Sequence, residues 1–382
     1  MIEIPSQRHL FDIPDEVAYF NCAYNSPLLN ESRDRLHIGV NTKSHPWERT
    51  ANDFFDNAEI IRSLASDIFG GDVDGYAIVP SASYGLSTSA RAIEPILQSG
   101  DKILVIDEAF PSNYLPWERT ANETNSNIII VPTPIDGDWT KAILERIEKD
   151  VKIVALPNCH WTNGAFIDLK TIGQACRSVE ALLAVDATQS LAAMPLSIEE
   201  IKPDFLVAAG YKWLLCPYGF SLLYVSEQWR DARPLEETWI ARDNAHDFAA
   251  LVKYSKNYMP GARRFEVGEK CTPTLLPGAI AAFERIKEWG VDSIARTLLK
   301  MNEKISAHIE NLGFQLPDIS QRSPHMFGAQ LPKKFQGNLV LELMKRKIFI
   351  SQRGNAVRFA PHLHVNNRDI DRLFEALNEI IQ

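Results

Sequence analysis

The chain has 382 residues, with 45% hydrophobic and 23% charged side chains, the balance of a soluble globular protein long enough for two domains, one large and one small. Its formal net charge of -9 argues against a nucleic-acid partner, because phosphate binding needs clustered Lys and Arg. No apolar run is long enough to cross a bilayer, and the N-terminal MIEIPSQRHLFDIPDE lacks the basic and apolar regions of a signal peptide, so a cytosolic protein is expected.

The predicted elements begin after about fifty residues that carry no βαβ pattern and are expected to pack with the C-terminal part. From there short apolar runs alternate with helical patterns. Strands are predicted over 76–80, 102–106, 127–131, 151–156 and 181–185, with helices over 83–97, 111–124, 139–149 and 169–179. Two more strands follow at 204–208 and 220–225. This alternation implies an α/β fold with βαβ units and a mostly parallel sheet. Beyond it, helices are predicted at 277–289, 291–312 and 367–381. Short strands at 338–343, 347–350 and 356–359 complete a smaller α+β domain. The division expected is 1–50, an N-terminal segment; 51–265, a large domain; and 266–382, a small one. The five cysteines, Cys22, Cys159, Cys176, Cys216 and Cys271, are scattered without a CxxC pair, which suggests neither a zinc site nor a disulfide framework.

Ligands of parallel sheets bind beyond the carboxyl ends of the strands, and four strand ends hold suggestive residues. SASYGLS, Ser81 to Ser87, leads from strand to helix and offers backbone N–H groups and a positive dipole end to a phosphate; an ordinary Ser N-cap explains it as well. Phe110, in DEAFPSN, is either a core aromatic or a ring stacked on a flat ligand. Asp186, in LLAVDATQS, ends an apolar strand, where a carboxylate needs a partner, unless it simply caps a helix. Lys212, in GYKWLLCPYG, is either snorkelling or functional, since desolvation favours the neutral amine that attacks carbonyls.

In this order, with VDATQS and GYKWLLCPYG about one βαβ step apart, the chain resembles the class V aminotransferase family of fold-type-I enzymes dependent on pyridoxal phosphate (PLP). That family includes cysteine desulfurases, selenocysteine lyases, kynureninases and isopenicillin N epimerase-like proteins. The resemblance runs from YFNCAYNSPL at Tyr19 to VRFAPHLHVNN ending at Asn367. It implies the PLP cofactor, an amino acid substrate and a homodimer. By position it implies that Ala82, Ser83 and Tyr84 form the phosphate turn and that Phe110 stacks on the pyridine. Asp186 and Gln189 would hold the pyridine nitrogen and the phenolic oxygen, Lys212 would form the Schiff base, and Tyr211 would reach the phosphate. It places His160 and Trp161, in NCHWTNG, beside the cofactor. Arg358 would hold the substrate carboxylate, with Asn21 and Tyr24 on the substrate side. Residues 262–273 resemble the stretch that reaches the partner subunit's cofactor; Arg264 within it is expected to be structural.

The departures from the family concern sulfur. Desulfurases carry a nucleophilic cysteine shortly before the carboxylate arginine, and KRKIFISQRGNAVRF has none. Tyr211 stands where His is common, and Ala209 where Ser is common. These changes favour transamination first, with a lyase (C–S or other β-elimination) or an epimerase as alternatives and a non-catalytic PLP-fold protein as a distant one.

Overall fold

The computed structural model describes residues 3–381. Strand β1, Ala18–Tyr19, and helix α1, Asn30–Ser44, precede α2, Asp56–Phe69. The alternating region then runs β2 (Tyr76–Val79), α3 (Ala82–Ile93), β3 (Lys102–Ile106), α4 (Leu115–Thr124), β4 (Asn127–Val131), α5 (Trp139–Leu144) and β5 (Val151–Pro157). It continues through α6 (Leu169–Ser178), β6 (Leu182–Asp186), α7 (Ile198–Ile201), β7 (Phe205–Ala209) and β8 (Ser221–Val225). After these come α8 (Leu276–Trp289), α9 (Val291–Asn311), β9 (Phe327–Gln330), α10 (Leu339–Lys345), β10 (Ile348–Phe349), β11 (Ser351–Arg353), β12 (Ala356–Phe359) and α11 (Asn367–Ile381).

Seven strands form one sheet in the order β2-β8-β7-β6-β5-β3-β4. Only β8 runs against its neighbours, pairing antiparallel with β2 and β7. The strands are apolar on both faces because both are covered. Leu104, Leu156, Val185 and Leu206 join the core on one face, whereas Val105, Ala155, Ala184 and Val207 join that on the other, the period of two that a strand imposes. Each large apolar side chain so buried contributes about 1.5–3 kcal/mol. Helix α3 lies tight on the sheet because Gly85 has no side chain; a Cβ there would meet Val207 Cγ1 at 2.8 Å.

A second core gathers around the antiparallel sheet β11-β12-β9, with Ile305, Ile309, Leu339, Leu343, Phe359 and Leu373. The N-terminal segment divides between the two cores. β1 pairs parallel with β10, while α1 packs on α8, where Ser32 Oγ donates to Gly278 O at 2.9 Å. Helix α8 itself joins the large core through Phe283 and Ile286.

Several predicted elements differ. Residues 338–343, expected as a strand, begin helix α10: Asn338 caps it by accepting from Leu341 N at 3.0 Å, and Leu339 and Leu343, four residues apart, are its buried pair. The i, i+4 spacing decides against the apolar content. The helix expected over 139–149 stops at Leu144, and that over 111–124 starts with a 3-10 turn before Leu115. Helices α1 and α2 and strand β9 were not predicted; α1 buries fully only Ser32 and Gly39, so it has no apolar stripe to see. No described helix is long and apolar enough to cross a membrane.

Candidate active site

Strand ends β2, β5, β6 and β7 open onto one cavity of about 270 Å³, whose wall includes Ser81, Phe110, Trp161, Asp186, Tyr211 and Lys212. Lys212 sits in the turn that follows β7. That turn is closed by Cys216 N donating to Gly210 O at 3.0 Å and Leu215 N to Lys212 O at 3.1 Å, with Leu215 in the left-handed region at φ 54°. The lysine is buried. Burial, the largest cause, pushes its pKa down to about 8; the Asp186 charge opposes the shift, and the Arg358 and Arg353 charges add to it. A sizeable neutral fraction at neutral pH is what a nucleophilic amine requires.

Asp186 ends β6 and is also buried. Its Oδ1 accepts from Thr188 N at 3.0 Å. Burial raises its pKa against the opposing Thr188 hydrogen bonds and the Lys212 charge. Phe110, 40% exposed, has its ring centroid 5.7 Å from Lys212 Nζ and meets Trp161 edge-on at 5.3 Å. Tyr211 lies at the same 5.7 Å from Lys212 Nζ on another side. At the N-terminus of α3, Ser81 Oγ accepts from Tyr84 N at 3.1 Å and lies 2.9 Å from Ser83 Oγ. The remaining first-turn N–H groups, those of Ala82 and Ser83, have no intrahelical partner. Gln189 is held at both ends of its amide: Nε2 donates to Ala23 O at 3.0 Å, and Oε1 accepts from Trp213 Nε1 at 2.9 Å.

Other expected residues stand off the cavity. His160 is adjacent in sequence to wall residues, yet its ring stacks on Trp139 at 5.3 Å, and its Nδ1 lies 2.8 Å from Thr162 Oγ1. Burial lowers its pKa. His160 is thus not part of the cavity wall. Tyr84 turns its ring into the core beside α3. Asn21 and Tyr24 line a separate groove with Ser351, Gln352 and Arg353. Arg358 is 1% exposed and lies behind Trp161. It donates to the Trp161 carbonyl, and its Nε and Nη2 reach Ser351 Oγ at 3.2 and 3.0 Å. Burial and then the Arg353 charge push its pKa down to about 9. No carboxylate pairs with it among the described residues.

The sequence offered little sign of Asn113 and Thr188, which also line the cavity. Asn113 is 1% exposed, and both polar atoms of its amide are buried without a partner. An orphaned amide of this kind is costly and marks a place for a ligand. Its signal was its nearness to Phe110 in DEAFPSN.

The donor set fits pyridoxal phosphate. One end of the cavity offers hydroxyls and N–H groups to an anion. A buried carboxylate without an ion-pair partner awaits a protonated ring nitrogen, and a desolvated amine awaits a carbonyl.

Residues 40–370 match the family model described as "Aminotransferase class-V", so the chain belongs to the class-V aminotransferase family of pyridoxal phosphate enzymes. It is 25% identical over 312 residues to a probable cysteine desulfurase of Pyrococcus abyssi, covering 79% of this chain and 75% of that one. It is 26% identical over 341 residues to an uncharacterized aminotransferase of Bacillus subtilis, covering 84% and 87%. Among solved structures, the apo cysteine desulfurase of Thermococcus onnurineus superposes with a TM-score of 0.85 at 17% identity, covering 100% of this chain and 99% of that one. The cystine C–S lyase C-DES in complex with cysteine persulfide gives 0.86 at 18%, covering 96% and 98%. These two likenesses concern the fold.

Proposed function

We propose that this enzyme cleaves a C–S bond of a sulfur-containing amino acid by β-elimination, with Lys212 as its Schiff-base and proton-transfer residue. The observation that carries the chemistry is the pair of unpaired buried groups, Asp186 and Lys212, facing one cavity. The order expected from sequence, transamination before elimination, is reversed because of the relatives' names: a cysteine desulfurase and a C–S lyase outweigh an uncharacterized aminotransferase.

Pyridoxal phosphate, when bound, supplies a carbonyl for the substrate amine and a ring that accepts electron density from the substrate's α-carbon. The first turn of α3, with Ser81, Ala82 and Ser83, would hold the phosphate. Phe110 would cover the ring and keep water from it. Asp186 would keep the ring nitrogen protonated, and the Gln189 amide and Tyr211 would hold the phenolic oxygen and the phosphate. Lys212 would hold the cofactor's carbonyl carbon, and its neutral Nζ would take the substrate's α-proton. Arg358, buried behind Trp161 but near enough for its charge to act on Lys212, would pair with the α-carboxylate. The sulfur would leave with its substituent as a thiol, taking up a proton, and one water added to the remaining three-carbon amine would give pyruvate and ammonia.

The protein contributes no poised thiol to this reaction. Hairpin β11–β12, where a desulfurase-type cysteine would be sought, has none. Among the described residues Cys159 is the only cysteine in the cavity wall, and burial pushes its pKa up to about 12, far from a ready thiolate. The enzyme is also proposed to work as a homodimer, supported by the family and by exposed Trp47 and Tyr254.

The test is to supply L-cysteine, L-cystine and S-substituted cysteines to the holoenzyme. Stoichiometric pyruvate and ammonia, unchanged in Cys159→Ser, supports elimination. Alanine release dependent on Cys159, or conversion of the cofactor to its amine form with a keto acid as sole product, overturns it.

A further inference from the structure

Resting on the assignment of Arg358 to the substrate α-carboxylate, we infer that the groove beside the cavity is a distal substrate subsite and that Arg353 within it recognises a second anionic group on the substrate. The preferred substrates would be amino acids whose sulfur-borne portion ends in a carboxylate or comparable anion.

The argument begins with the hairpin. β11 and β12 pair antiparallel with Ser351 opposite Arg358 and Arg353 opposite Ala356. Residues two apart on a strand share a face, as do residues directly opposite. Ser351, Arg353 and Arg358 therefore stand on one face of the hairpin. Arg358 is buried and reaches the cavity wall through the Trp161 carbonyl. Arg353 is half-buried, with its guanidinium carbon 6.0 Å from the Trp161 ring centroid. Trp161 thus has a cation on its ring side and another at its carbonyl.

Neither arginine has a carboxylate partner among the described residues. The polar contact of Arg353 is with the carbonyl of its own neighbour, Gln352, at 2.7 Å. Its charge acts on both Lys212 and Arg358, lowering the pKa of each. Two cations, Arg353 and Arg358, thus stand beside a region whose buried acid is Asp186. One α-carboxylate satisfies one arginine. A second arginine held close to the first without a counter-ion makes a site for a second anion.

The space for such a group is present. A groove of about 510 Å³ is lined by Asn21, Tyr24, Met344, Ser351, Gln352 and Arg353. It is linked to the cavity wall through Ser351, which binds Arg358 and, through it, the Trp161 carbonyl, and through the Asn21–Ser26 segment, whose Ser26 N donates to Tyr211 O at 3.0 Å. Asn21 Oδ1 is buried there without a partner, an acceptor that suits an ammonium or hydroxyl beside the anion.

The test uses S-carboxymethyl-L-cysteine and S-carbamoylmethyl-L-cysteine, which have the same shape and differ in one charge. Holoenzyme should favour the acid over the amide by about fivefold or more, a gain expected of a partly desolvated ion pair. In Arg353→Gln that ratio should fall close to one, and Arg353→Lys should restore part of it. The ratio is read twice, as kcat/KM for pyruvate release and as the dissociation constant by calorimetry. If neither compound is cleaved but the binding ratio behaves as stated, the subsite stands and the C–S reading fails. If wild type does not discriminate, or Arg353→Gln discriminates equally, the subsite is wrong.

Discussion

Two clusters of charge lie buried in this molecule, and they are built on opposite plans. Around Glu266 every charge has a partner. Arg62 and Lys270 both donate to its carboxylate, and all three are essentially inaccessible. Arg263 adds a bond to Glu59 Oε2 at 2.6 Å and one to Asp74 Oδ1 at 2.6 Å. Around Lys212 the charges are separated: Asp186, Lys212 and Arg358 are equally buried but do not pair with one another. The first cluster ties the 260–272 segment to α2 and β2. The second holds its groups apart at a cavity. Self-neutralised buried charge serves the fold, whereas buried charge left unpaired is kept for a ligand.

The contrast predicts that the same kind of substitution will have opposite consequences in the two clusters. Replacing Lys212 by Ala should lower kcat by about 10⁴-fold or more, because one group supplies both the Schiff base and the proton transfer. The melting temperature of the cofactor-free protein should not fall. A variant that retains activity within tenfold would remove Lys212 from its role.

Glu266→Gln should do the reverse. Removing the shared acid leaves the buried Lys270 without its ion-pair partner and Arg62 with Glu59 alone, and should cost about 3–5 kcal/mol of stability, read from urea denaturation. Any activity that remains in folded protein should be near normal. A change under about 1 kcal/mol would show that the network is not what holds this region.

Arg358→Gln tests the middle ground. It should raise KM by about 100-fold, the scale of one lost charged hydrogen-bond pair, with little loss of stability. Unaltered KM would place the α-carboxylate elsewhere.

The smallest effect concerns pH. Folding lowers the Lys212 pKa from its ordinary 10.5 to about 8, so between those values the unfolded chain binds more protons than the folded one. The cofactor-free protein should therefore gain stability as pH rises from about 8 towards about 10.5. Lys212→Met should flatten that rise. Identical pH slopes in the two proteins would contradict the buried, neutral lysine.

Much of this site could be seen in the sequence because strand ends are local features. Asp186 closes LLAVD and Lys212 follows FLVAA, and an apolar run that stops at a charged residue puts that residue at the sheet edge whatever the rest of the fold does. Phe110, Ser81 and Trp161 follow strands in the same way, and all line the cavity. His160 stands off the cavity wall because adjacency in sequence does not fix which way a loop residue faces; its ring stacks on Trp139. Residues 338–343 misled because a short apolar run suits either period, and the Asn338 cap settled the helix.

The α/β alternation, the large sheet's strands, the acid and the amine at its edge, and the family were all legible in the order of residues. Those features rest on local hydrophobic period and on residues placed a fixed distance past a strand. Only the tertiary structure decided that Asn113 is an orphaned amide facing the cavity, that Asn21 and Tyr24 belong to a neighbouring groove, and that Arg353 and Arg358 share one hairpin face without a counter-ion. Those facts depend on which distant segments pack together and on which charges find partners, and neither quantity is carried by the order of residues along any one stretch of chain.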